Sequence, residues 1–169
     1  ESQPATDPQH HVLLTMCRKE GTGKLSNDGI VFALDMQKGT LLWNIAGAGG
    51  VPIYLPESNA VIVAGENGTA FAVDATTSCV IWEQQGILPL ARFMGPFVYD
   101  PQRGLVYGAN FNGIVVALDA KTGEIVWTYK LQTAVTPLIP VPLGPRISPD
   151  YALLYFGAYD GALHALKLD

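Results

Sequence analysis

One stretch of the chain, residues 112–127 (NGIVVALDAKTGEIVW), recurs along its length. A chain made of such repeats has few folds open to it. The stretch opens on Asn112-Gly113, a pair that tolerates positive φ well and so favours a two-residue hairpin turn. Residues 114–118 are apolar and largely β-branched, which predicts a strand. Residues 119–123 predict a second turn, with Asp119 to cap it and Gly123 to leave it. Residues 124–130 return as a strand that carries Trp127. The pattern occurs earlier from Asp28-Gly29 to Trp43 and from Asn67-Gly68 to Trp82, and it begins again at Asp160-Gly161. The turn glycines 29, 68, 113 and 161 are thus spaced by 39, 45 and 48 residues. Each repeat has a further short apolar strand before its Asx-Gly pair, at residues 12–16, 60–64, 105–108 and 153–156. A period of this length, made wholly of short strands, predicts an all-β propeller with four-stranded antiparallel blades.

Within the repeat one frame stays in register. It reads Ala33, Asp35, Gly39, Trp43 in the first copy and Ala117, Asp119, Gly123, Trp127 in the third. The second copy has Ala72, Asp74, Trp82, with Ser78 where the others have glycine. The last has Ala165, with Lys167 in place of the aspartate. This frame resembles the tryptophan-docking repeat of the pyrroloquinoline-quinone (PQQ)-like propellers, and the resemblance runs over nearly the whole chain from Val12. It implies that each indole packs between its own blade and the next, beside the small alanine and the turn glycine. It also implies an eight-bladed ring. That family holds quinoprotein alcohol and sugar dehydrogenases as well as purely structural binding propellers.

Residues 1–11 are polar and read as an N-terminal tail, and residues 12–169 as the propeller segment, with repeats around 12–46, 47–85, 92–130 and 134–169. Innermost strands are expected within residues 49–56, 94–99 and 136–141, where Pro and Gly cluster. The first blade lacks residues for an innermost strand and the last lacks its outermost one. The expected architecture is therefore an arc of about three and a half blades, part of a larger ring. Such an arc leaves unpaired strands and bare apolar faces at both ends, and soluble monomers rarely expose patches above a few hundred Å². The chain is accordingly not expected to be a free monomer. A protein partner, or the remainder of a longer chain, completes the propeller. No helical period of ten or more residues occurs, so almost no α-helix is expected.

Composition narrows the function classes. Apolar residues make up 49% of the chain and charged ones 15%, which excludes a disordered chain. Ten Lys and Arg against fifteen Asp and Glu, with no basic run, give nucleic acid no footing as a partner. No apolar run reaches the roughly 20 residues that span a bilayer. The first residue is Glu1, which accords with a removed leader and inclines the reading toward a periplasmic, lumenal or secreted location. Cys17 and Cys79 fall in different repeats and form no CxxC pair, so both are expected as buried free thiols.

The residues that could carry chemistry mostly have structural explanations. Asp35, Asp74 and Asp119 look like a carboxylate set, but each precedes a turn and is expected to accept backbone N–H bonds there. Asn67-Gly68-Thr69 fits a glycosylation sequon and also serves as the repeat's turn. His10 and His11 are adjacent, so on a strand they would point to opposite faces. The GTGK of residues 21–24 lacks the phosphate-loop spacing. His164 stands at an apolar strand position and reads as a packing residue. Arg92 and Arg146 are isolated cations near the expected innermost strands, and residues 137–149, with five prolines, read as a rigid surface loop. Ser78 is expected to adopt a different turn from Gly39 and Gly123, because positive φ costs a non-glycine residue about 1 kcal/mol. No catalytic, cofactor-binding or metal-binding residue is assigned. The expected function is a non-catalytic scaffold or protein-binding module within a larger assembly. The alternative is an arc of a quinoprotein dehydrogenase, which would need PQQ and Ca²⁺.

Overall fold

The computed structural model describes residues 5–7, 12–18, 29–48, 50–65, 68–85, 97–110, 112–131, 146–148, 150–157 and 162–168. They form four antiparallel sheets that follow one another in chain order. Blade 1 comprises Ala5–Asp7 (β1), Val12–Arg18 (β2), Gly29–Asp35 (β3) and Leu41–Ala48 (β4). Blade 2 comprises Ile53–Leu55 (β5), Ala60–Ala64 (β6), Ala70–Asp74 (β7) and Val80–Gln84 (β8). Blade 3 comprises Val98–Asp100 (β9), Leu105–Ala109 (β10), Ile114–Asp119 (β11) and Ile125–Lys130 (β12). Blade 4 has Arg146–Ile147 (β13), Leu153–Gly157 (β14) and Leu163–Lys167 (β15). The innermost strands β1, β5, β9 and β13 touch in succession, so the blades stack face to face around a common axis. The helical content among the described residues is a single 3-10 turn, Pro56–Ser58.

The core lies between blades rather than within them, and this explains the strand sequences. A blade is covered on both faces, so its inner strands need apolar side chains at every position instead of alternate ones. All five residues of β6 (AVIVA) are buried. Val61 and Val63 pack toward blade 1 with Leu14, Val31 and Ala33, while Ile62 packs toward blade 3 with Val106, Val116 and Leu118. Tyr107, Ala117, Leu154 and Phe156 fill the interface of blades 3 and 4.

The third and fourth strands of each complete blade share one irregularity. The ladder pairs Ala33 with Trp43 and then Leu34 with Leu41, leaving Leu42 as an extra residue. Ile81 and Val126 are skipped in the same way beside Trp82 and Trp127. A bulge that re-aims a side chain is thus built into each repeat. It presents the indole on the same face as the motif alanine, toward the next blade.

The structure corrects several expectations. Residues 5–7, read as tail, form β1 and pair Ala5 with Leu14, so blade 1 has its innermost strand. The innermost strand of blade 4 is Arg146–Ile147, inside the stretch read as a loop; the expected strand at 136–141 lies outside the described residues. Cys79 is a free thiol but exposed. Cys17 lies on β2, opposite Ile30. Asn112 does not take positive φ: Gly113 does, at 71°. There the hairpin closes by Asn110 N–H donating to Ile114, while the Asn110 side-chain oxygen accepts from the N–H groups of Asn112 and Ile114. That is the wider hairpin with a left-handed glycine at its end.

Candidate functional site: the blade faces

The repeated turn after the third strand is built the same way in blades 1 to 3. Asp35 Oδ1 accepts from the N–H groups of Gln37 and Lys38, both at 2.8 Å. Asp119 Oδ1 accepts from Lys121 at 2.8 Å and Thr122 at 2.9 Å. Asp74 Oδ1 accepts from Thr76 at 3.0 Å, Thr77 at 2.7 Å and the Thr77 hydroxyl at 2.9 Å. The backbone N–H of Thr77 holds the Asp74 carboxyl below its ordinary value, and that of Thr122 does the same for Asp119. Carboxylates held ionised by turn amides are caps, and poor proton acceptors for catalysis.

Ser78 makes the same turn as the glycines, against the expectation. Its φ is 60°, beside 66° at Gly39 and 75° at Gly123. Its N–H donates to Asp74 as those of Gly39 and Gly123 donate to Asp35 and Asp119. The turn at Ser78 is held by the same Asp74 cap, with the Thr77 hydroxyl also donating to that carboxylate.

The turns present seats for the preceding blade's indole. Trp82 lies flat on Gly123, such that a Cβ there would sit 2.4 Å from its Cε3. Its Nε1 donates to the Ala120 carbonyl at 3.1 Å. Trp43 donates to the corresponding Ala75 carbonyl in blade 2 at 2.8 Å. The third interface departs from this. Trp127 packs against Tyr107, ring centroids 5.6 Å apart, and the corresponding Leu168 carbonyl accepts from Arg103 Nη2 at 3.0 Å. Arg103 Nη1 bonds the fully buried Asp100 at 2.9 Å and the Tyr151 carbonyl at 3.0 Å, clamping blade 4 onto blade 3. The Tyr107 hydroxyl donates to the same Asp100, and burial, then that carboxylate, pushes its pKa up to about 12. A cavity of about 200 Å³ beside the clamp is lined by Arg103, Tyr107, Trp127, Lys167 and Leu168.

Sequence reasoning missed this clamp, although a signal existed. Residues 100–104 (DPQRG) repeat the Asp-x-x-x-Gly spacing of the docking turns, and Gly104 has φ 66°. His164 stacks on Phe156, centroids 5.6 Å apart, as a packing residue. Arg146 is exposed on β13. Arg92, His10, His11, Asn67 and residues 21–24 lie outside the described residues.

The same seats stand uncovered at the two ends of the arc. Ala33, Ala72 and Ala117 are all fully buried by an indole and the next blade, whereas Ala165 is exposed and Leu163 beside it is 74% exposed. Among the described residues no strand pairs with the outer edge of β15. At the other end, Met36 occupies the position of Ala75, Ala120 and Leu168. Those three are at most 8% exposed, while Met36 is 49% exposed. A Cβ built on Gly39 would meet nothing within 4 Å, because no indole lies on it.

Three comparisons bear on these faces. The family described as outer membrane protein assembly factor BamB, a PQQ-repeat family, matches residues 23–168. No curated protein matches. Among solved structures, BamB from Moraxella catarrhalis superposes with a TM-score of 0.72 at 21% identity, over 98% of this chain and 49% of that one. The computationally designed Ika4 gives 0.69 at 14% identity, over 98% of this chain and 89% of Ika4. The designed Ika8 gives 0.65 at 16% identity, over 97% and 45%. The chain therefore spans about half the length of BamB and of Ika8, and these likenesses speak to fold.

Proposed function

The chain belongs to the PQQ-repeat family described as outer membrane protein assembly factor BamB, and on that premise we propose that it is a protein-binding propeller scaffold without catalysis of its own, acting as a subunit or segment of a larger assembly. The observation that carries this reading is the pair of uncovered seats. The residues that hold blade to blade inside the arc recur at both ends, and there they face solvent: Ala165 and Leu163 on blade 4, Met36 and Gly39 on blade 1. Protein of the same kind is what these faces are shaped to meet. An assembly factor performs a binding task, which agrees with carboxylates that act as turn caps.

Light scattering on the 169-residue chain tests the reading, together with titration by PQQ and Ca²⁺. The expected outcome is a mass above the 18.1 kDa of one chain and no change in quinone absorbance. A cooperatively unfolding 18.1 kDa monomer would overturn the binding role, and micromolar quinone binding would overturn the non-catalytic one.

A further inference from the structure

Blades 1 to 3 each end outward in a fourth strand, and the three fourth strands guard their outer edges unequally. Among the described residues β4, β8 and β12 each pair on one side only. Bare edges are commonly blunted by charged side chains. β8 carries Glu83 and β12 ends on Lys130, whereas β4 (LLWNIAGA) holds no charge along its eight residues. Bulges at Leu42 and Gly47 leave Trp43 to Ala46 as its regular stretch.

That stretch borders a groove. Where blade 1 meets blade 2, a cleft of about 280 Å³ opens at the rim, walled by Ile45 and Gly47 of β4 and by Phe71, Val80 and Glu83 of blade 2. Ile45 and Phe71 lie half-buried at the margin of the core those blades share, and Val80 is 60% exposed. Glu83 is the one charged residue of the wall, and its Oε1 accepts from Gln85 Nε2 at 3.0 Å. The groove lies inside the arc, between two complete blades, and it is not a feature of the repeat. Between blades 2 and 3, Gln84 takes the place of Ile45, and Val116, in the place of Phe71, is fully buried.

We propose that β4 and this groove form a docking site for one extended segment of a partner protein, which adds to the edge of β4 and sets a large apolar side chain in the groove, with a lysine or arginine beside it to meet Glu83. The proposal rests on the protein-binding reading above and names the chemistry of the partner. Ile45 faces blade 2, as does Trp43, whose indole bonds the Ala75 carbonyl. Side chains alternate between the faces of a sheet, so every second residue of a strand added to β4 hangs over Phe71, Val80 and Glu83. Main-chain bonds supply affinity, and the groove selects the side chain. A volume of about 280 Å³ falls just under the roughly 300–1,000 Å³ of sites for drug-sized ligands, which suits a side chain. Charge selects between occupants. A second copy of this chain would bring β4, which has no cation for Glu83, and the net charge of −5 on each copy opposes their approach. A basic, apolar segment is attracted instead.

The probe is the synthetic peptide TKTFTKT, whose Lys, Phe and Lys share one face of a strand, titrated into the 169-residue chain. Expected are saturable binding, a loss of about tenfold or more when Ala replaces its Phe, and a loss of about threefold with Glu83→Gln. The charge-reversed TETFTET should bind more weakly than TKTFTKT. Val80→Arg, at an exposed position, should abolish binding and leave the thermal midpoint unchanged. Two further peptides, N-methylated at one or the other set of alternate residues, separate strand addition from side-chain docking. Only one set removes the donors that face β4, so one peptide should bind and the other should not. Equal binding of the Phe and Ala peptides, of the Lys and Glu peptides, or of the two N-methylated peptides would overturn the proposal. So would an oligomeric chain that becomes monomeric in Val80→Arg, since a second copy would then hold the edge. An oligomer that binds none of the peptides also overturns this site, and it leaves the scaffold reading standing.

Discussion

Gly39 and Gly123 hold the same place in the repeat and the same left-handed backbone, at φ 66° and 75°, yet they should respond very differently to a single methyl group. Gly39→Ala meets nothing within 4 Å, so only the backbone acts. Left-handed φ costs an L-residue roughly 1–2 kcal/mol. The loss of unfolded-state freedom returns about 0.4–1 kcal/mol, leaving a net cost near 1 kcal/mol. Gly123→Ala carries the same backbone term and adds a collision, because the new Cβ would lie 2.4 Å from Trp82 Cε3 and 2.7 Å from Cδ2. Carbon atoms want about 3.5–4.0 Å, so the ring must retreat by about 1 Å. That retreat stretches the Nε1 bond to Ala120, worth about 1 kcal/mol, and overpacks the interface at a further 1–3 kcal/mol. The expected total at Gly123 is roughly 3–5 kcal/mol, some 2–4 kcal/mol beyond Gly39. At about 2–4 °C per kcal/mol for a chain of this size, thermal midpoints should differ by roughly 4–16 °C. Urea unfolding of both variants, with unchanged slopes, gives the free energies directly. Equal shifts would refute the argument, since they would mean that the indole seated on Gly123 constrains nothing that an empty seat does not.

Other outcomes follow from the same interfaces. Trp82→Phe keeps a ring on Gly123 but loses the bond to Ala120, and urea unfolding should register about 1 kcal/mol, against roughly 3–5 kcal/mol for Trp82→Ala. Arg103→Met should cost roughly 3 kcal/mol, because it takes the cation from the fully buried Asp100, leaving that carboxylate only its hydrogen bonds, and releases the Leu168 and Tyr151 carbonyls; hydrogen exchange should then rise first in β14 and β15. Asp74 and Asp119 have folded pKa values below the ordinary 3.8, so what they contribute is present above that value and lost as pH falls through their folded values. Acid titration should show stability declining below about pH 4, and the double variant Asp74→Asn, Asp119→Asn should flatten that decline.

The fold was legible because the repeat imposes the same physical demand several times over. A single Asx-Gly pair or a single Trp is a weak sign, but Ala, Asp, a turn residue and Trp in fixed register leave one arrangement that buries each indole. The structure departs from the local expectation where neighbouring residues overrule it. Positive φ at Ser78 is costly counted alone, yet the Asp74 cap and the Ser78 N–H bond to Asp74 close the same turn that Gly39 and Gly123 make. Asn112-Gly113 in isolation reads as a two-residue turn, but the Asn110 side chain caps a wider hairpin around it. Residues 5–7 are too short and too polar to read as a strand. They become one because the edge of β2 needs a partner, and that need appears only once the sheet exists.

The candidate site was harder to read for a different reason. A repeat states which residues face the next blade, and says nothing of whether a blade is there. Ala117 and Ala165 are equivalent in the motif, as are Gly123 and Gly39, yet one member of each pair is covered by an indole and the other is not. The sequence marks every seat alike, so occupancy is a property of the assembled structure. The clamp at Arg103 belongs to this class too, since its carbonyl partners, Tyr151 and Leu168, lie 48 and 65 residues away and are brought to it only by the stacking of blade 4 on blade 3. Where an indole is replaced by a guanidinium as the donor to the next blade, the interface changes from one held by ring burial to one held by charge-assisted bonds. The third interface should therefore lose stability in high salt while the first two do not. That contrast is measurable as salt-dependent hydrogen exchange confined to β14 and β15.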